Sequence, residues 1–403
     1  MSARRPRSVL AACALTLVLA LAAAACSSDD AGSDADRSST TAPSTTSVGA
    51  DAAYEGRGPD QVGTTRFALA DGRPVVAWYP ATDAAADAPK ETFDIAGLLS
   101  PALQAKIPAE KRPQYEIDAH PGAAPATGGP YPLVLFSHGF AAFPEQSADL
   151  VTHLTSWGFV VVAPSHVERS LDGLLGTAAQ SIPTKLSNEQ VLEQALDAAI
   201  AEGKRAGSPL NGLIDDGEVA VIGHSAGAGA AYRMAGTDDR IRSFIAYSIG
   251  SGGGGQGTPT TEAPAVPDIP GMVMRGTKDG IIPAAASKKV YDGMNAPKVL
   301  ATFAGGGHLL FSDICLIGKD QGGLVSLVRQ TGLQIPPDLL RLASDGCQPE
   351  ALDPTDAFPA IDHLSVSFLR WTLGIDEEPV GLDPSVADAF PKANLTMESD
   401  LTS

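Results

Sequence analysis

The chain has 403 residues, is 44% hydrophobic and carries a formal net charge of −19 at pH 7. There is enough apolar material for one sizeable core, and so acidic a balance speaks against nucleic acid as a partner. The sequence has no His-x-x-x-His, no Cys-x-x-Cys, no dinucleotide fingerprint and no P-loop, so neither a metal nor a cofactor is expected.

Arg4, Arg5 and Arg7 precede an apolar run over residues 9–25, the layout of a signal peptide spanning 1–25. The run is short for a membrane span and gives way at once to Ser27-Ser28-Asp29-Asp30. Cys26 stands at the junction, after Ala23, Ala24 and Ala25, where a bacterial lipoprotein signal places its lipid-modified cysteine. Position 23 holds Ala where such signals usually carry Leu, so cleavage without lipidation stays open. The expected location is outside the cytoplasmic membrane, lipid-anchored or secreted. Cys13 leaves with the signal and lipidation consumes Cys26, so Cys315 and Cys347 remain and are expected to pair. Residues 26–56 are almost free of large apolar side chains and read as a flexible tether. A single domain is expected over 57–376 and a tail over 377–403.

Within the domain, β-prone residues 64–69 and 75–79 flank Asp71-Gly72, which predicts an antiparallel hairpin. From Pro132 on, apolar runs at 133–136, 159–163, 219–222, 243–247, 271–274 and 299–303 show no polar alternation. Such runs are what parallel strands covered on both faces look like. Helices are expected between them at 145–157, 188–205, 225–235 and 284–294, and a last one at 361–373. In the second, Leu192, Ala195, Leu196, Ala199 and Ile200 share one face. The fold class is therefore α/β: a mostly parallel sheet with an N-terminal hairpin and helices on both faces. Three long interruptions, 90–129, 251–268 and 316–359, break the rhythm; the first and third are expected to border the active site and the second to be mobile.

The turn Gly223-His224-Ser225-Ala226-Gly227 lies between an apolar run and a helix start made of small residues. With 42 glycines in the chain the five-residue pattern alone means little; its strand–turn–helix setting is what marks Ser225 as a nucleophile. A serine hydroxyl needs a base oriented by a carboxylate, in the chain order Ser, acid, His. Two histidines follow, and His308 is preferred because Gly305-Gly306-Gly307 gives it a pliable loop at a strand end; His363 reads as a partly exposed helix residue. Asp279 is the acid, since it follows an apolar run closely, in Thr277-Lys278-Asp279-Gly280. The oxyanion donors are the backbone N–H groups of Ala226 and of Phe140, the latter in Phe136-Ser137-His138-Gly139-Phe140. The Phe140 ring either lines the acyl pocket or belongs to the core. His138 and His224 are expected to orient loops, and His166 to be structural or to border the pocket.

Phe136-Ser137-His138-Gly139-Phe140, Ser156-Trp157-Gly158-Phe159-Val160-Val161, the Gly-His-Ser-x-Gly turn and Gly-Gly-Gly-His308 together resemble the platelet-activating-factor acetylhydrolase and dienelactone-hydrolase-like branch of the α/β-hydrolases. Bacterial polyester hydrolases and cutinases of that branch are similar. The resemblance implies the α/β-hydrolase fold and hydrolysis of a small-molecule or lipid ester through an acyl-enzyme, with Ser225, Asp279 and His308 as the triad. Two features depart from it: no acid stands in Tyr247-Ser248-Ile249-Gly250, where plasma-type acetylhydrolases carry theirs, and the nucleophile is Ser rather than the Cys of dienelactone hydrolases. Acyl transfer in the cell envelope and a non-catalytic lipid-anchored binding protein are the competing readings.

Overall fold

The hairpin forms as its turn implies, with β1 (Gln61–Ala68) antiparallel to β2 (Pro74–Ala81) in the computed structural model, which describes residues 52–250, 265–332 and 334–402. The expected signal peptide, Cys26, most of the tether and most of the 251–268 interruption lie outside these residues. Two short strands, β3 (Glu91–Asp94) and β4 (Gln114–Ile117), pair with each other inside the first interruption, followed by β5 (His120–Pro121). The apolar runs then appear as β6 (Tyr131–Ser137), β7 (Val160–Pro164), β8 (Ile214–His224), β9 (Ile241–Tyr247), β10 (Gly271–Gly276) and β11 (Lys298–Phe303). The last strand is β12 (Leu395–Asp400).

Ten of these strands make one sheet in the order β12-β11-β10-β9-β8-β6-β7-β2-β1-β5. The stretch from β11 to β7 is parallel throughout, and β12 and β2 attach antiparallel at its two ends. The absence of alternation in the runs has a direct cause. Val134, Phe136, Val161, Ala163, Ala220 and Ile222 enter one core cluster, while Leu133, Leu135, Val160, Val162, Val219 and Val221 enter the other. Helices Ala148–Ser156 and Pro354–Thr372 cover the first face through Val151, Leu154, Leu364 and Phe368. Helices Asn188–Lys204 and Ala226–Ala235 cover the second through Leu192, Leu196 and Met234. The long helix Asn188–Lys204 starts with a reciprocal cap between Ser187 and Gln190, which satisfies backbone donors that would otherwise be orphaned.

Three expectations need correction. Residues 377–403 are not a tail: β12 lies in register along β11, from Leu395 opposite Phe303 to Asp400 opposite Lys298. Its polar alternation is that of an edge strand with one wet face, which carries little apolar signal. The tether ends earlier than residue 56, because Ala52 and Tyr54 are buried and the Tyr54 N–H donates to His363 Nδ1 at 3.2 Å. His363 is itself fully buried rather than partly exposed, stacked on Tyr54 and against Phe390 from the C-terminal segment. The two ends of the domain thus meet on one helix.

Beneath that junction lies a group of three acids, Asp149, Asp313 and Asp362. Asp313 accepts the Asp149 N–H at 2.9 Å, and the Asp149 and Asp362 carboxyls hydrogen-bond each other. Burial, and then the Asp149 charge, push the Asp313 and Asp362 carboxyls well above the usual carboxylate range. A folded-state pKa raised in this way favours the fold at low pH and weighs against it as pH rises through the folded value. Asp362→Asn keeps a neutral hydrogen-bonding group and is expected to stabilise the protein at pH 8, a gain that disappears near pH 4. Thermal melts of both proteins at the two pH values check this; an equal effect at both would refute it.

Candidate active site

β8 ends at His224 and helix Ala226–Ala235 begins directly after it, so Ser225 alone makes the turn, at φ 57 and ψ −117. Few non-glycine residues adopt such a backbone. The flanking glycines permit it by letting chains approach. A Cβ on Gly223 would stand 2.4 Å from the Gly227 carbonyl oxygen, and one on Gly227 would stand 1.8 Å from that of Ser137. The Ser225 N–H is tied to the Tyr247 carbonyl on the neighbouring strand at 2.9 Å.

The structure brings the three expected side chains together. His308 Nε2 is 2.9 Å from Ser225 Oγ, and its Nδ1 is 2.9 Å from Asp279 Oδ2. Asp279 and His308 are both buried, with 2% and 1% of their side chains exposed. The other Asp279 oxygen accepts the N–H groups of Ile281 at 2.9 Å and Ile282 at 2.7 Å. Burial alone would raise this carboxyl, but the hydrogen bond and charge of His308, with the two amides, hold it below the ordinary Asp value. An ionised Asp279 fixes the His308 proton on Nδ1 and leaves the Nε2 lone pair facing the serine hydroxyl.

Among the described residues, neither the Phe140 nor the Ala226 N–H has a hydrogen-bond acceptor. Phe140 borders the cavity that opens on Ser225 and is not part of the core, and Ala226 follows Ser225 directly in the chain. The loop carrying Phe140 is held from two sides. Gln146 accepts the Gly139 N–H through Oε1 at 2.7 Å and donates through Nε2 to His224 Nδ1 at 2.9 Å. His224 in turn donates from Nε2 to the His308 carbonyl at 2.8 Å. Burial, followed by repulsion from His308, pushes His224 down to about 3, so it stays neutral and keeps this donor–acceptor order. On the other side the buried Arg169 guanidinium donates to the carbonyls of His138 and Gly139 and to Ser137 Oγ at 3.0 Å. His138 and His224 thus orient loops, and His166 is structural: its Nε2 is 2.9 Å from Ser137 Oγ.

Gln146, Arg169 and Asp345 are the functional residues that sequence reasoning missed. Asp345 Oδ1 accepts the His308 N–H at 2.7 Å, and its carboxylate also accepts the Gly280 N–H at 3.2 Å. It therefore clamps the loop of the base to the loop of the acid. It sits beside Cys347, which is disulfide-bonded to Cys315 as expected. Its only sequence signal was its place in a long interruption expected to border the site. Asp345→Ala leaves two amides without acceptors and is expected to slow phosphonylation of Ser225 by a fluorophosphonate roughly 10–100-fold, with Asp345→Asn recovering most of the rate. Labelling time courses measure this, and a rate for the alanine variant within twofold of wild type would rule the clamp out.

No group of His, Cys, Asp or Glu among the described residues could hold a metal ion, and no helix among them is long and apolar enough to cross a membrane.

With this geometry in view, the comparisons with known proteins agree. Residues 118–248 match the chlorophyllase family model. A platelet-activating factor acetylhydrolase of Cavia porcellus is 31% identical over 153 residues, which is 30% of this chain and 35% of that protein. The matched stretch thus spans about a third of the relative's length. A solved ferulic acid esterase from Streptomyces cinnamoneus superimposes with a TM-score of 0.56 at 20% identity, covering 84% of this chain and 96% of that one. The fold is that of the α/β-hydrolases, and all three matches fit its esterase branch.

Proposed function

We propose that the protein is a serine carboxylic-ester hydrolase that works through an acyl-enzyme outside the cytoplasmic membrane. The observation that carries this reading is the unbroken chain Ser225–His308–Asp279, at a cavity lined by Phe140, Ser225 and His308 and set beside the acceptor-free amides of Phe140 and Ala226. His308 Nε2 takes the hydroxyl proton as Ser225 Oγ attacks the ester carbonyl, and Asp279 stabilises the imidazolium that forms. The Phe140 and Ala226 N–H groups receive the charge that develops on the carbonyl oxygen. His308 then returns its proton to the leaving alcohol, and a water molecule activated by the same nitrogen releases the acid. The relatives' names, acetylhydrolase and esterase, support ester cleavage as the chemistry.

Export and anchoring rest on the residue order at 1–30, with Cys26 as the lipidated position. A palmitate analogue fed to cells should label the wild-type chain, and Cys26→Ser should abolish the label and release the protein into the medium. An unlabelled wild type rules out the anchor.

For the chemistry, a fluorophosphonate should label the wild type and not Ser225→Ala. Asp279→Asn should fold normally yet lose about 10⁴-fold in turnover, the scale of removing the orienting acid. Failure of the wild type to label refutes the serine mechanism, and undiminished turnover in Asp279→Asn moves the acid elsewhere.

A further inference from the structure

Two segments outside the hydrolase core roof the site. After Cys315 the chain forms helices Gly323–Thr331 and Pro337–Leu342, and the disulfide to Cys347 closes this excursion. In the first helix Leu324, Val325, Leu327 and Val328 fall on one face, with Ser326, Arg329 and Gln330 on the other. Leu339, Leu340 and Leu342 do the same in the second. These faces line the cavity that reaches Ser225 and His308, opposite Leu99 and Ile107 from the other insertion. Of the roof residues just named only Leu327 is buried; the rest are half-buried. An apolar helix face left open over a nucleophile calls for an apolar ligand.

The polar side chains of the lining decide what kind. They are Lys111, Gln146, His224, Ser225 and His308. Gln146 Oε1 and His224 Nδ1 are already used as acceptors within the site, and Lys111 is only a donor. Apart from these five the lining is apolar, so a polar group carried into the depth of the cavity would find few partners, at the cost of burying an unsatisfied group. A hydrocarbon chain has no such demand. We infer that the substrate is an ester with a long aliphatic chain, held between the disulfide-closed roof and the 95–113 insertion. This rests on the esterase reading above.

The test uses the full mature protein and titrates its active sites with a fluorophosphonate, so that every rate is expressed per reactive Ser225. Two series are compared: p-nitrophenyl esters with acyl chains from acetate to palmitate, and acetates of n-alcohols over the same lengths. In one of them kcat/KM should rise at least tenfold between four and ten carbons, at up to about fourfold per methylene, the worth of burying a CH₂ group. The series that rises identifies whether the acid or the alcohol carries the chain. A 4-hydroxycinnamoyl ester should lie well below the best aliphatic one. Leu327→Trp and Leu340→Trp fill the cavity and should each lower the ratio of ten-carbon to four-carbon kcat/KM at least fivefold. If Ser225 titrates fully but both series are flat or fall beyond four carbons, or if neither variant moves the ratio, the inference is overturned and the esterase reading stands. If Ser225 does not titrate, both fall together.

Discussion

Ser225 is held in a backbone conformation that its own side chain disfavours, and much of the site follows from what holds it there. The hold is steric: strand end, turn and helix start approach so closely at Gly223 and Gly227 that no Cβ fits at either. The same approach brings β6 beside this turn, so the loop after β6 starts next to Ser225 and Phe140 borders the cavity that opens on it. Gln146 and His224 then connect that loop to the backbone of His308. The Phe140 loop, Ser225 and His308 are thereby parts of one hydrogen-bonded unit, the preorganisation that the proposed oxyanion donors require.

Much of this was legible in the sequence because the signals were strong where the physics is local. Strands buried on both faces cannot alternate, so β6 to β11 announced themselves as apolar runs. Ser225, Asp279 and His308 were each found from their position at the end of such a run, and the structure brings all three within hydrogen-bonding distance. What escaped was non-local. Asp345 looks like any polar loop residue until the disulfide carries it to His308. His363 was misread because its partners, Tyr54 and Phe390, come from the two ends of the domain. β12 was missed because an edge strand with a wet face needs few apolar residues.

The two insertions divide their labour with the core. The sheet sets the chemistry, through strand ends that carry Ser225, Asp279 and His308. The insertions set what reaches it, since most of the apolar lining comes from outside the sheet. A cross-link across a loop of this size limits the freedom of the unfolded chain, and here it also keeps two short helices, which would be marginal alone, over the cavity.

Asp345 and the roof belong to the same cross-linked loop, and this limits how the protein can be altered, by evolution or by design. Loops around an active site are usually treated as interchangeable parts, to be grafted between scaffolds in search of new specificity. Here a foreign roof would arrive without the carboxylate that accepts the His308 and Gly280 amides. Specificity and turnover are therefore inherited together, and a successful graft must bring an acceptor to position 345 as well as a new lining.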